Sequence, residues 1–167
     1  MTPLPRVAPA LFALSLLAPA QAAEPVPEQD LTTIVEELES WLDENAPWPR
    51  RERPPTIRRW PPSLTAALFP PAADGTGNRR GFYDPDTATI TLVAPWDARD
   101  PTDRSVLLHE LAHHRQAPLH WYCPAAQELP AYRLQAAWAA ENDARPAIDW
   151  LDVVLRSGCT PRDIHPE

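Results

Sequence analysis

Glycine and cysteine are both scarce in this chain: four glycines and two cysteines among 167 residues. Few glycines and 23 prolines imply stiff connections in place of floppy linkers. Two cysteines, Cys123 and Cys159, allow one intramolecular disulfide at most. Positive charge is also short, with 15 basic against 23 acidic residues and a formal charge of −8. An acidic chain of this kind argues against a nucleic-acid partner. The apolar run Val7 to Leu17 is too short to span a bilayer, and Pro9 sits within it.

That run belongs to a leader. Arg6 supplies a positive start, the apolar stretch follows, and Ala20-Gln21-Ala22 fits the small-x-small cleavage rule. Residues 1–23 therefore read as a secretory signal peptide cut after Ala22 or Ala23, giving a periplasmic or secreted protein with no stable membrane insertion. No cysteine lies near the cut, which argues against a lipoprotein. The remaining residues, about 145, suffice for one domain with a real core. Loss of Arg6 takes the charge from −8 to −9. An oxidising compartment favours a bond between Cys123 and Cys159.

The chain is organised around Ser105 to His114, which contains His109-Glu110-Leu111-Ala112-His113, an H-E-x-x-H pattern. Residues four apart lie on one helical face, so both imidazoles can reach one ion. Glu110 stands about 100° round the helix from His109, close enough to hold a water on that metal without ligating it. Asp100 suits the N-cap, Pro101 the first helical position and Asp103 the positive end of the dipole. Leu107, Leu108, Leu111 and Ala112 form a core side, so the helix is expected to be half buried and to stop at Pro118. His114 points away from His113 and is expected to support substrate or bond a neighbour.

Around this helix the chain punctuates clearly. Asp30 to Glu44 predicts a helix with Leu31, Ile34, Val35, Leu38, Trp41 and Leu42 on one stripe. Its acidic side, Glu36, Glu37, Glu39 and Asp43, reads as a solvated face. Arg50, Arg51, Arg53, Arg58 and Arg59 read as a charged surface loop, or else a contact for an anionic wall polymer or partner. Thr56 to Trp60 suggests a short strand, Ser63 to Phe69 a short helix, and Ala72 to Arg80 a loop. Gly81 to Val93 reads as a β-hairpin about the turn Asp84-Pro85-Asp86-Thr87, with Thr89, Thr91 and Val93 on a wetter face than Ile90 and Leu92. The two aspartates are turn chemistry before they are a calcium site. Ala144 to Ser157 predicts a last helix with Ile148, Leu151, Val154 and Leu155 as its stripe. Together these elements make an α+β domain, mostly helical, with a small β-hairpin or sheet beside the motif helix.

Two histidines leave a tetrahedral zinc ion short of one protein ligand and one water. Metzincins continue the pattern with a glycine and a third histidine, but Gln116 and Leu119 occupy those positions here. His120 is out of register beyond Pro118. Glu128, in Gln127-Glu128-Leu129-Pro130-Ala131-Tyr132, lies on a second helix with small Ala131 three residues on. This arrangement resembles the gluzincin type of zinc metallopeptidase, of the small, exported bacterial kind, over roughly residues 81–138. The resemblance implies a minimal zincin-like domain over residues 24–167, with zinc held by His109, His113 and Glu128 and with Glu110 as general base. It departs from the pattern at Pro130, which requires the second helix to start near Glu128 or to kink there. Tyr132, four residues past Glu128, could donate to a developing oxyanion or simply pack. Trp121, Tyr122 and Trp138 read as core or pocket edge. The resulting expectation is a zinc-dependent peptide-bond hydrolase whose partner is a peptide or protein, cell-wall stem peptide included. Strand Thr89 to Val93 could pair with an extended substrate. The alternative is an exported, non-catalytic metal- or peptide-binding module on the same scaffold.

Overall fold

The structure, a computed structural model, describes residues 28–61, 63 and 80–159. In chain order these form α1 (Glu28–Asn45), β1 (Thr56–Trp60), β2 (Gly81–Asp84), β3 (Thr89–Val93), α2 (Pro101–Gln116), a 3₁₀ turn (Pro124–Gln127), α3 (Glu128–Glu141) and α4 (Trp150–Arg156). The architecture is α+β and mostly helical, as expected. The leader lies outside the described residues, as do nearly all of the expected helix at Ser63 to Phe69 and loop at Ala72 to Arg80. No described helix is long and apolar enough to cross a membrane.

Helix α2 forms where its capping residues place it. The Asp100 side chain accepts from the Thr102 N–H at 2.8 Å, and Pro101 opens the first turn. Asp103 is buried instead of merely countering the dipole: it accepts from the Asp97 N–H at 2.8 Å and pairs with Arg80. Leu107, Leu108 and Leu111 are fully buried, and each contributes about 1.5–3 kcal/mol relative to exposure. Burial extends well beyond that stripe. His109, Glu110, His114, Arg115 and Gln116 are buried too, so α2 is a central helix and not the half-buried one its apolar pattern suggests.

The hairpin is present, with β2 antiparallel to β3 from Gly81↔Leu92 to Asp84↔Thr89. Its turn uses Asp84 as expected, accepting from the Asp86 N–H at 3.0 Å and the Thr87 hydroxyl at 2.6 Å. The expected strand β1 joins on the other side, parallel to β3, from Thr56↔Thr89 to Trp60↔Val93. The strand order is therefore β1-β3-β2. Two expectations about β3 fail for this reason. All five of its residues are buried, so Thr89, Thr91 and Val93 do not form a wetter face. Side chains of the flanking strands screen that face, with Trp60 and Phe82 edge-to-face at 5.3 Å. With both edges already paired, β3 cannot accept an added peptide strand.

Helix α1 packs Ile34, Leu38 and Leu42 into the core that also holds Ile90, Leu92, Leu107, Leu111 and Trp138. Its acidic side is solvated at Glu36, Glu37 and Asp43, as expected, whereas Glu39 is buried. Glu36 binds Arg50 at 2.5 Å, Glu37 reaches Arg104 at 3.4 Å, and Glu39 and Asp43 converge on the buried Arg115. In the arginine stretch Arg50, Arg53, Arg58 and Arg59 are exposed, as expected of a charged surface segment, and Arg51 alone is half buried. Arg51 donates to the Tyr83 hydroxyl at 3.1 Å, and Arg59 lies over the Trp96 ring at 5.2 Å.

The last helix is shorter than expected and turned over. Val153 is buried, whereas Leu151, Val154 and Leu155 are exposed. Cys123 and Cys159 are disulfide-bonded with Cα atoms 5.8 Å apart, which ties the end of α4 to the residue preceding the 3₁₀ turn. Closing that 36-residue separation removes unfolded-state entropy worth about 3–4 kcal/mol on the chain-entropy model. Trp138 is core as expected and Trp121 is half buried, but Tyr122 is exposed.

Candidate metal centre

The α2–α3 contact brings the donors together. Ala131 is fully buried, and Gln135, one turn further along the same face of α3, donates to the Ser105 hydroxyl of α2 at 3.1 Å. Glu128 lies one turn earlier on that face, beside the two histidines. Pro130 does not kink the helix: α3 begins at Glu128, so the proline occupies the first turn, where its missing N–H leaves no bond unmade.

His109 Nε2 and His113 Nε2 stand 3.0 Å apart, and Glu128 Oε2 lies 3.4 and 3.5 Å from them respectively. These three side chains could hold a metal ion. The two imidazoles are nearly covered, while the Glu128 side chain is 40% exposed, so the cluster opens to solvent on the glutamate side. His109 Nδ1 is buried without a partner. His120 is not among the converging donors.

The electrostatics follow from this crowding. Burial acts to raise the Glu128 carboxyl, but hydrogen bonds from His109 and His113 and their charges hold it far below the ordinary carboxylate range. Burial likewise disfavours protonation of His113, yet the Glu128 hydrogen bond and the charges of Glu110 and Glu128 leave it above the usual imidazole value. Negative charge thus dominates at this cluster, which suits a cation.

Glu110 is 5% exposed and faces β2. A Cβ on Gly81 would stand 3.0 Å from Glu110 Oε1 and 2.9 Å from Val106 Cγ1, so only glycine lets the strand pass this close to the helix. Gly81→Ala is expected to cost about 1–3 kcal/mol by overpacking, read as a lower denaturant midpoint. Adding Val106→Ala should recover only part of that loss, because the Glu110 contact remains. Full recovery would mean that Glu110 does not bear on β2.

Tyr132 reaches the cluster through its ring, whose centroid is 4.4 Å from that of His109. His114 turns to the opposite side, as expected of a residue that bonds its neighbours. Its Nε2 donates to the Arg53 carbonyl at 3.0 Å, and its Nδ1 faces the Tyr83 hydroxyl at 3.1 Å and Arg51 at 3.3 Å. Burial and the neighbouring Arg51 and Arg115 charges keep it below the ordinary imidazole value, hence neutral. Two residues at the site were missed in the sequence. Gln116 is fully buried and touches His113, a contact that its position three residues on along the same face could have signalled. Gly81 could have been flagged as a glycine inside a strand.

Neither the curated proteins nor the solved structures contain a match to this chain. A family model described as a domain of unknown function, DUF6647, matches residues 27–167, which include every element above and all the converging donors. The chain belongs to the DUF6647 family.

Proposed function

We propose that this protein is a zinc-dependent peptide-bond hydrolase that acts outside the cytoplasm. The observation that carries the reading is the convergence of His109 Nε2, His113 Nε2 and Glu128 Oε2, with Glu110 next to His109 on the same helix. A tetrahedral ion with bonds of about 2.0–2.2 Å requires ligand atoms about 3.3–3.5 Å apart. The separations here are 3.0, 3.4 and 3.5 Å. Two imidazoles and one carboxylate form the donor set of a catalytic zinc site with a fourth position open. The exposure of Glu128 leaves that position reachable. An oxidising compartment agrees with the disulfide.

Bound there, zinc would act as a Lewis acid toward water and a substrate carbonyl. Glu110 takes a proton from the attacking water and returns it to the leaving amine. Tyr132, whose ring packs on that of His109, would donate its phenol to the developing oxyanion. Since β3 is paired on both sides, β2 is the strand to receive an extended peptide. Among the described residues its outer edge has no strand partner, and Gly81 brings it against Glu110.

Metal analysis of the purified mature protein tests the reading. About one zinc per chain is expected, retained in Glu110→Ala. In Glu128→Ala the affinity should fall by more than the ~10–100-fold that losing an outer-shell partner costs. Unchanged stoichiometric zinc in Glu128→Ala would remove that residue from the ligand set. A wild type that binds peptides as well as its Glu110 variant does, and cleaves nothing in a broad library, would point to the non-catalytic binding module.

A further inference from the structure

We infer that Gln116 is a positioning residue that sets two of the three donors at once, a reading that rests on the metal centre proposed above. Its side chain is fully buried and spans from one ligand-bearing helix to the start of the other. Gln116 Nε2 donates to the Gln127 carbonyl at 3.0 Å, and Gln116 Oε1 lies 2.8 Å from His113 Nδ1.

The direction of every bond in this chain follows from its last member. A backbone carbonyl can only accept, so the Gln116 NH₂ must face Gln127. That leaves the amide oxygen toward His113, and an amide oxygen can only accept as well. His113 must therefore carry a proton on Nδ1. When the ring is neutral, its lone pair is on Nε2, the atom that faces His109 Nε2 and Glu128 Oε2. Gln127 directly precedes Glu128, so the same amide also fixes the point from which α3 launches its carboxylate. The connection is closed from both ends: Trp121 Nε1 donates to the Gln116 carbonyl at 3.1 Å, and Cys123 is anchored by the disulfide. A ligating histidine whose second nitrogen is held in this way keeps its ring orientation before the ion arrives.

Selective imidazole NMR on the zinc-loaded wild type should show a His113 Nδ1–H proton protected from exchange and close in space to the Gln116 side chain. In Gln116→Met, a near-isosteric change without hydrogen bonds, that signal should be lost to exchange and zinc affinity should fall about 10–100-fold. Gln116→Glu keeps the acceptor for His113 but loses the donor to Gln127, so the signal should persist while affinity falls by less. A wild type that binds zinc but shows no protected Nδ1–H, or a Gln116→Met protein that holds zinc as tightly as wild type, overturns this inference and leaves the centre standing. A wild type that takes up no zinc overturns both. Should the methionine variant fail to fold, the wild-type spectrum and the glutamate variant decide.

Discussion

Glu110→Gln is expected to lower peptide hydrolysis by about 10²–10⁴-fold while bound zinc stays at one per chain. The substitution is nearly isosteric, which matters because Glu110 is buried and β2 passes within contact distance at Gly81. An alanine there would open a space beside the strand and confuse packing with proton transfer. Glutamine keeps the volume and removes only the ability to take a proton. On the proposed mechanism the loss should appear in kcat, with KM little changed, because the carboxylate would transfer protons during the reaction and not bind the peptide in the ground state. Parallel loss of zinc and activity would instead assign Glu110 to holding the site together.

Arg115→Met is expected to destabilise the fold by about 3–5 kcal/mol, read as a lower unfolding midpoint by denaturant or heat. Arg115 is 1% exposed and ties three segments together. Its Nε donates to Glu39 at 2.8 Å, its Nη2 to the Glu39 carbonyl at 2.8 Å and to Asp43 at 2.6 Å, and its Nη1 to the Trp48 carbonyl at 3.2 Å. Removing the guanidinium leaves the Glu39 carboxylate buried, with Arg50 at 3.9 Å its one remaining cation among the described residues. For a domain whose whole stability is about 5–15 kcal/mol, that loss is a large share. The double variant Arg115→Met with Glu39→Leu should recover much of it, since the main cost is an uncompensated buried charge and not lost volume. No recovery would mean that the guanidinium's bonds to backbone carbonyls carry the stability.

The contrast between these residues marks where sequence reading succeeds. Asp100, Pro101 and the His109–His113 spacing act within one or two helical turns, so their signals are local and appear where expected. The hairpin is likewise local, its turn set by Asp84 and Thr87. The disulfide is long-range yet legible, because two cysteines leave a single intramolecular pairing. Glu39 was misread because an acidic residue on the polar side of a helix predicts water, and only a partner 76 residues away makes burial tolerable. Leu151, Val154 and Leu155 were misread for the converse reason: helical spacing shows that a stripe exists, not that anything covers it. For β3, alternation implied one buried face, but the parallel partner β1 joins from 33 residues earlier and screens the other.

The sequence by itself determined that His109 and His113 share one face of a capped helix with Glu110 beside them, because helical geometry places residues four apart in register wherever that helix sits. Only the tertiary structure decided what meets them. The gluzincin resemblance pointed to Glu128 and to Ala131 as the small residue beside it, but the close approach of α3 to α2 is a tertiary contact, and Gln116 meets His113 because the chain returns Gln127 to its side. Gly81 completes the arrangement by letting β2 pass against Glu110. Those are contacts between segments, and no local periodicity encodes which segments will touch.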